Sequence, residues 1–401
     1  MKILVGHNHY QRHGGEDAVV DAEIGLLKQY GNEVQYYQRS NDEIEAAGFF
    51  SKIEYLMQMN WAQKSYREVK RIIKTFRPDI AHFHNIFYMI SPSVYWACQE
   101  ERVPVVQSLH NFRLLCSNAL FYRNGKTCED CMQKSLWQGV YHKCFRSSYL
   151  QTFLMARLLM KHWRKGTWLN FVDAYITLSP FSRQKYIQGG LPAHKIFVKP
   201  NFEREEVAMA ALNQEEDCVL YVGRLSVEKG VDVLLKAWQK MATLPLKIIG
   251  DGPLFDRLKQ YASERHMANV TFLGRLDNDE CRRWIRRAKF IVVPSVCYEN
   301  FPRFIVEAFA CGVPVLASRI GSLQDIVEEG KTGLFFKAGD PDDLAQKAQW
   351  MITHDEAVSE MCREVKRTFD SKYTDHKNYE QLMAIYRTVI EHRRKKVYVH
   401  A

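Results

Sequence analysis

Short apolar segments alternate with helical patterns along the whole chain. The apolar segments are rich in β-branched and aromatic residues, which is typical of buried strands. Between them, apolar residues recur at helical spacing. The predicted strands are Lys2–Gly6, Glu33–Tyr37, Ile80–Phe83, Val103–Ser108, Ala174–Leu178, Ile196–Lys199, Cys218–Val222, Leu246–Gly250, Val270–Leu276, Phe290–Val293 and Val315–Ala317. Strands that alternate with helices predict an α/β fold with doubly wound parallel sheets.

One stretch interrupts this alternation. Residues Phe202–Asp217 are acidic and poor in strand-forming residues, as expected for a linker. A chain of 401 residues is long for one domain and suits two of similar size. We therefore predict one domain over residues 1–200 and a second over residues 218–372. A last helical pattern follows over residues 373–401.

The composition is that of a globular protein, with 46% hydrophobic and 25% charged residues. The N-terminus, MKILVGHNHY, has an apolar run too short for a signal peptide, and no apolar stretch is long enough to span a membrane. These features predict a cytoplasmic protein.

The net charge of +10 is unevenly placed. Residues 1–200 carry 26 Lys/Arg and 16 Asp/Glu, whereas residues 201–401 carry 30 of each. Nucleic acid would attract such a surface, but no nucleic-acid-binding motif is present. We therefore expect an anionic membrane surface as the partner, on the inner face of the cell membrane. The basic, aromatic segment Tyr149–Trp168 can lie in such an interface or form a core helix with a basic edge.

The stretch Val292–Gly321 reads as strand, loop, helix and strand. Glu299 lies in the loop and Glu307 in the helix. A carboxylate beside a helix N-terminus can hold hydroxyls while backbone N–H groups face an anion. The pattern therefore suits the hydroxyls and diphosphate of a nucleotide sugar, although such pairs of glutamates also occur on solvated surfaces.

Glycines occur in two other turns between a strand and a helix. Gly14 and Gly15 follow the first strand, where they allow a ligand to approach the backbone. The turn Gly223–Gly230 carries Arg224 and Lys229, whose charges can bind phosphate oxygens. An ordinary turn with solvated cations is the alternative in each case. No P-loop is present, and no G-x-G-x-x-G follows a strand, which disfavours a simple NAD-dependent enzyme.

Three motifs, Gly223–Gly230, Gly250–Pro253 and Glu299–Glu307, together resemble the retaining GT-B glycosyltransferases with the E-x7-E signature (family 4, glycosyl transferases group 1). The resemblance implies two Rossmann-like domains, an N-terminal one that binds the acceptor and a C-terminal one that binds a UDP- or GDP-sugar. It also implies a final helix that packs back on the first domain.

The resemblance assigns roles to individual residues. Arg224 and Lys229 would hold the donor diphosphate, Glu307 the ribose, and Glu299 the sugar hydroxyls. His110, at the end of a strand, matches a family histidine near the donor sugar. The implied catalytic set is His110, Glu299, Arg224 and Lys229, and the implied donor-binding set is Gly14, Gly15, Arg224, Lys229, Gly274, Arg275, Glu299, Phe301 and Glu307.

The chain departs from the family pattern at Pro302, where glycine is usual and where proline removes a backbone donor. Arg303 would compensate for it. No Asp-x-Asp follows a strand, so we expect no catalytic metal. The predicted function is transfer of a sugar to a glycan or lipid-linked acceptor in cell-surface polysaccharide synthesis. A GT-B phosphorylase, an epimerase and a non-catalytic membrane-surface protein are the alternatives.

Four cysteines lie in an insert over residues 116–144: Cys116, Cys128, Cys131 and Cys144. A C-x2-C pair flanked by two single thiols favours a structural zinc site with four thiolates. An iron–sulfur cluster is the less favoured metal, and buried free thiols are the alternative without a metal.

Overall fold

The computed structural model of the protein describes residues 1–11, 14–45, 59–206 and 218–399. The chain divides into two compact units. The first unit contains residues 1–119, 129–200 and 379–401, and the second contains residues 120–128 and 201–378. Each unit is built on a parallel sheet of six strands, so the predicted α/β class with two doubly wound sheets is confirmed.

The strands, in chain order, are β1 (Lys2–His9), β2 (Glu33–Ser40), β3 (Ile80–Phe83), β4 (Val105–Leu109), β5 (Tyr122–Arg123), β6 (Lys126–Thr127), β7 (Ala174–Thr177), β8 (Ile196–Val198), β9 (Cys218–Val222), β10 (Leu246–Ile249), β11 (Val270–Gly274), β12 (Ala288–Val293), β13 (Val315–Ser318) and β14 (Gly333–Phe336).

The helices are α1 (Gly15–Gln29), α2 (Asp42–Glu45), α3 (Gln63–Phe76), α4 (Ser93–Glu100), α5 (Asp130–Gln133), α6 (Trp137–Tyr141), α7 (Tyr149–Arg164), α8 (Thr167–Asn170), α9 (Pro180–Gln188), α10 (Val231–Trp238), α11 (Phe255–Glu264), α12 (Asn278–Arg287), α13 (Arg303–Ala310), α14 (Leu323–Ile326), α15 (Pro341–Thr353), α16 (Asp355–Lys372) and α17 (Asp375–Val399).

The strand order of the first sheet is β2-β1-β3-β4-β7-β8, and all its neighbouring strands are parallel. Gly6 pairs with Phe83, and Phe83 pairs with Gln107, so β1, β3 and β4 are aligned at their carboxyl ends. The strand order of the second sheet is β11-β10-β9-β12-β13-β14, again parallel throughout. Loops that follow aligned parallel strands lie at one edge of a sheet, which is where such folds bind ligands.

The core of the first unit is shared by distant parts of the chain. Ile3, Val5 and Ile80 of the sheet pack with Leu382 and Tyr386 of the final helix α17. In the second unit, Trp238 of α10 is fully buried in a separate apolar cluster that includes strands β9, β10 and β12. Each sheet therefore has its own apolar core, which is the requirement for an independent domain.

Strand boundaries differ from the predicted ones in places. Strand β1 continues to His9, and β4 begins at Val105, since Pro104 has no N–H to donate to a neighbouring strand. The sixth strand of the second sheet, β14, was not predicted because its residues lie between glycine turns. Most of the predicted linker, residues 207–217, lies outside the described residues. Within the described ranges, no helix combines the length and the apolar character needed to cross a bilayer.

Candidate active site

The turn Gly223–Gly230 of the second unit is held tightly against the loop after β12. Gly230 has φ of 67°, and a Cβ atom there would lie 1.9 Å from the carbonyl oxygen of Pro294. Only glycine combines this backbone conformation with so close an approach. The turn is completed by the 310 residues Val227–Lys229, after which α10 begins at Val231.

Lys229 and Glu299 form an ion pair in this turn. The Lys229 Nζ and Glu299 Oε1 atoms are 2.6 Å apart, and the Ser295 hydroxyl donates to the same carboxylate oxygen at 2.5 Å. Glu299 is 8% exposed. Burial alone would lower the pKa of Lys229, but the Glu299 carboxylate, together with the nearby Cys297 and Glu228, outweighs burial and raises that pKa. Lys229 is therefore a fixed cation, because its partner orients it before any ligand arrives.

Arg224 lies in the same turn and is exposed. Its carbonyl oxygen accepts a hydrogen bond from the Tyr221 hydroxyl at 3.0 Å. The next residue, Leu225, donates its N–H to Asp251 O at 3.0 Å, which ties the turn to the loop after β10. The Arg224 backbone is thus anchored while its guanidinium stays accessible to an anion.

Glu307, in α13, is buried beside a network of charges that the sequence did not reveal. Arg303 Nε lies 3.2 Å from Glu307 Oε1, and Arg303 Nη2 lies 3.2 Å from Glu203 Oε2. Arg282 binds the other oxygen of Glu203 at 3.3 Å. Burial raises the pKa of Glu307, an effect that Arg303 partly offsets. The side chain of Arg303, expected to compensate for Pro302, is thus engaged by two carboxylates.

Phe301 and Gly274, two further donor-binding candidates of the second unit, offer backbone groups to a ligand. Phe301 O accepts from the Asn201 amide at 3.1 Å. Gly274 has φ of 71°, and no atom lies within 4 Å of where its Cβ would be. Arg275, which follows it, is exposed. A flat ring could therefore approach the Gly274 backbone without a steric clash.

In the first unit, Gly14 and Gly15 begin helix α1. Gly14 is extended, and its N–H donates to Asp17 Oδ2 at 2.8 Å. The other oxygen of Asp17 lies 2.8 Å from His7 Nε2. A Cβ on Gly15 would meet nothing within 4 Å, which leaves the helix start open to a ligand. Residues 12 and 13 of this loop lie outside the described residues.

His110 follows β4 and lines a small cavity with Glu16, Asn111 and Arg113. Its Nε2 atom lies 2.9 Å from Nδ1 of His84, which follows the neighbouring strand β3. Burial raises the pKa of Glu16 to about 7, although the hydrogen bond from the Tyr10 hydroxyl opposes the shift. The sequence signal at Glu16 is only its position after two glycines, and its role as a cavity residue was missed.

Three of the four insert cysteines, Cys116, Cys131 and Cys144, belong to the first unit, and Cys128 belongs to the second. Among the described residues, none of the ten cysteines forms a disulfide. A hydrogen bond with the Cys116 thiol, burial and the nearby Cys144 raise the pKa of Cys131. Thiols that hinder one another's ionisation in this way are close neighbours.

Two protein-family models match most of the chain in succession. The model described as Glycosyltransferase Family 4 matches residues 27–202, and the model described as Glycosyl transferases group 1 matches residues 202–368.

Among curated proteins, an uncharacterized glycosyltransferase of Methanocaldococcus jannaschii, MJ1607, is 22% identical over 83% of this chain and 82% of its own length. Another from the same organism, MJ1178, is 36% identical, but that match spans 34% of this chain and 38% of the relative. A D-inositol 3-phosphate glycosyltransferase of Mycobacterium sp. (strain JLS) is 26% identical over 70% of this chain and 60% of its own length.

Solved structures share the fold over nearly the whole chain. Sucrose-phosphate synthase from Thermosynechococcus elongatus superposes with a TM-score of 0.71 at 18% identity, covering 98% of this chain and 100% of that one. Anabaena Alr3699/HepE, in complex with UDP and glucose, gives a TM-score of 0.65 at 16% identity, with 95% and 98% covered.

The two glycine turns allow a matched test of the site's geometry. Gly230→Ala should lower the free energy of unfolding by more than Gly274→Ala. Both positions have positive φ, which costs a non-glycine residue about 1–2 kcal/mol, but only Gly230 also lacks room for a Cβ. Thermal and urea unfolding of the two variants measure the difference. Equal destabilisation would contradict the packing of the turn against Pro294.

Proposed function

Because the chain is a glycosyltransferase of the GT-B type, we propose that it moves a sugar, with retention of configuration, from a nucleotide-diphosphate sugar to a glycan or lipid-linked acceptor in cell-surface polysaccharide synthesis. The observation that supports this most directly is the Lys229–Glu299 pair, 2.6 Å apart beside the glycine turn. It puts a cation for phosphate oxygens next to a carboxylate for hydroxyls.

In this proposal, Arg224 and Lys229 stabilise the charge that develops on the leaving diphosphate. Fixed charges act strongly on a transition state because they need no reorganisation during the reaction. Glu299 holds sugar hydroxyls and Glu307 holds the ribose. Gly274 and Arg275 contact the base, and the backbone of Phe301 contacts the sugar. The departing phosphate deprotonates the acceptor on the same face, and no divalent cation is needed.

We propose UDP- or GDP-sugars as donors, and the UDP complex of the Anabaena relative supports the first choice. Gly14, Gly15 and His110 complete the donor-binding set in the first unit. A phosphorylase or an epimerase of the same fold would act without net transfer to an acceptor. A non-catalytic protein would turn over no nucleotide sugar at all. Product analysis by NMR with UDP-, GDP- and ADP-sugars, including the anomer formed, therefore tests the proposal.

Arg224→Ala and Lys229→Ala should each lower kcat/KM by about 30- to 1,000-fold, or about 2–4 kcal/mol of transition-state stabilisation. The physical reason is the loss of a preorganised positive charge. The measurement is steady-state turnover of the identified donor in a buffer that contains EDTA.

Lys236→Ala is the matched control, because Lys236 is an exposed cation of the adjacent helix α10 whose ion-pair partner among the described residues is Asp232. It should retain full activity. Both site variants within a few-fold of the wild-type rate, or wild-type turnover that EDTA abolishes at once, would contradict the proposed diphosphate contacts.

We also propose a structural zinc site for Cys116, Cys128, Cys131 and Cys144. The donor set fits zinc, since four thiolates match its usual tetrahedral site. Cys116 and Cys144 both raise the pKa of Cys131, which supports the zinc site, because a bound divalent cation would relieve the repulsion between the thiolates. Zinc would supply a cross-link within an insert whose elements, β5, β6, α5 and α6, are each five residues or shorter.

Elemental analysis should find about one zinc per chain, and Cys131→Ser should lower metal content and melting temperature together. Cys98→Ser is the control, because Cys98 is a buried thiol outside the insert. It should leave the metal content unchanged. Metal-free protein of full stability would leave only buried thiols, and iron in place of zinc would change the metal assigned.

Membrane association is the third part of the proposal, and exposed side chains refine where it occurs. In α7, Met155, Leu158 and Leu159 are buried, so that face is part of the core. Within helices α6 and α7, the large apolar residues that remain exposed lie in α6 and at the start of α7. They form a group, called here the aromatic patch, whose members are Trp137 (49% exposed), Tyr141 (75%), Tyr149 (56%) and Leu150 (62%).

Cations accompany the aromatic patch. Lys143 Nζ lies 4.3 Å from the centroid of the Tyr149 ring, and Arg146 is exposed nearby. Aromatic side chains beside cations are typical of proteins that lie at the interface of anionic bilayers. We therefore propose reversible binding to the inner face of the cell membrane, where a lipid-linked acceptor is held. We propose no binding to nucleic acid.

The protein should co-sediment with anionic but not neutral vesicles, less so at high salt, because exposed charges are screened within about 8 Å at physiological ionic strength. Changing Tyr141 and Leu150 to Ser should weaken binding, as should changing four cations of α7 and its C-terminus, Arg157, Lys161, Arg164 and Lys165. The control removes four exposed lysines of the second unit, Lys236, Lys240, Lys337 and Lys366. An equal loss of vesicle binding in the control variant would mean that net charge alone, and not this surface, explains the binding.

A further inference from the structure

A line of buried polar side chains runs beneath His110 in the first unit. His110 Nε2 is 2.9 Å from His84 Nδ1, and the two rings are stacked. His84 Nε2 lies 3.3 Å from Glu23 Oε1, and the other oxygen of Glu23 lies 2.9 Å from Lys199 Nζ. Glu23, His84 and Lys199 are each at most 3% exposed. Groups of this kind are rarely buried unless their partners are fixed.

Glu23 and His84, together with His82, also have the spacing of a metal site, since the ligand atoms of these three residues lie within 4.8 Å of one another. Their hydrogen bonds argue against a metal. Lys199 already neutralises the Glu23 carboxylate. Both nitrogens of His82 have partners, the Tyr386 hydroxyl at 2.7 Å and the Ser108 hydroxyl at 2.8 Å. The group is therefore a network of hydrogen bonds and one ion pair.

The Glu23 carboxylate determines which nitrogen of His84 carries the proton. Burial alone would raise the pKa of Glu23, but Lys199 and His82 hold it well below its ordinary value. An ionised carboxylate can only accept hydrogen bonds. His82 Nδ1 also lies 3.2 Å from Glu23 Oε1, but no other described residue offers His84 Nε2 a hydrogen-bond partner. His84 therefore points an Nε2–H toward Glu23.

The tautomer of His84 in turn determines the tautomer of His110. Burial lowers the pKa of His84 to about 3, and burial with the neighbouring His84 also lowers the pKa of His110. Both rings are thus neutral at physiological pH. With its proton on Nε2, His84 offers Nδ1 as an acceptor, so His110 must donate from Nε2. The Nδ1 atom of His110 then holds a lone pair, and no described residue donates to it.

We propose that Glu23 and His84 are positioning residues that hold His110 in a single neutral tautomer, with Nε2–H directed into the protein and Nδ1 presented as an acceptor to a donor-sugar hydroxyl. The inference rests on the proposed function for the identity of that ligand. The tautomer itself rests only on the contacts within the first unit. A site that accepts a hydrogen bond in this way discriminates against a sugar that lacks the hydroxyl.

The decisive measurement is the tautomeric state of His84 and His110 by 15N NMR of histidine-labelled protein. Both rings should be neutral with the proton on Nε2 from pH 6 to pH 8. The charged and titratable groups that face the two rings are Glu23, Lys199, His82 and His7, and Glu16, whose pKa burial raises to about 7, lines the same cavity as His110. Ionisation of Glu16 in this interval favours a charged His110 ring, but burial of that ring opposes the charge, so we expect its proton to stay on Nε2. A His110 ring protonated on Nδ1, or one that titrates near pH 6.5, would overturn the proposal.

Glu23→Gln tests whether Glu23 determines the tautomers of His84 and His110. An amide N–H can donate to His84 Nε2, which reverses both tautomers, and His110 then presents Nδ1–H. We expect that reversal in the spectrum, together with a fall in kcat of about 10-fold, by analogy with the partners that orient metal-binding histidines, whose loss costs about 10- to 100-fold. The single variant leaves the buried Lys199 without its carboxylate partner. If that variant is too unstable to measure, the double variant Glu23→Gln with Lys199→Met removes this cation as well.

Tyr386→Phe is the control, because it removes a hydrogen bond to His82 in the same network but not on the path to His110. It should lower stability and leave the His110 tautomer and kcat unchanged. If no nucleotide sugar is turned over, the proposed function fails while the NMR result still stands. If a sugar is turned over and Glu23→Gln leaves the tautomer and kcat unchanged, only this inference fails.

Discussion

The parallel arrangement of the strands is the constraint on which the candidate residues within each unit depend. Aligned parallel strands end at the same edge of a sheet, so the loops that follow them meet there. In the first unit this brings His84, after β3, to within 2.9 Å of His110, after β4. In the second it brings Lys229, after β9, to within 2.6 Å of Glu299, after β12. A change of register in either sheet would separate these pairs.

Ion pairs form a second common feature, because the buried carboxylates of Glu23, Glu203 and Glu299 are each matched by a cation. Glu23 has Lys199, Glu299 has Lys229, and Glu203 has Arg282 and Arg303. Leaving one partner of such a pair uncompensated costs about 3–5 kcal/mol. The pairs therefore fix the positions of side chains before a ligand binds, which is the preorganisation that charge stabilisation in a transition state requires.

Much of the fold and part of the site followed from local patterns. The apolar runs predicted eleven strands that the structure contains, with boundaries shifted by a few residues at most, because a buried parallel strand is apolar on both faces. Glycines marked the turns at Gly14–Gly15 and Gly223–Gly230, since positive φ and close backbone contacts select glycine. Lys229 and Glu299 were both candidates, although their direct contact was not predicted.

What the sequence by itself determined was therefore the α/β class, the two domains and the turns that carry the motif residues, because each leaves a local pattern. Only the tertiary structure decided the contacts between distant residues. Glu23 and Lys199 are 176 positions apart, and Glu203 lies 100 positions from Arg303. It also decided that the apolar face of Tyr149–Arg164 is buried in the core. Such contacts depend on strand order and packing, which no periodicity along the chain encodes.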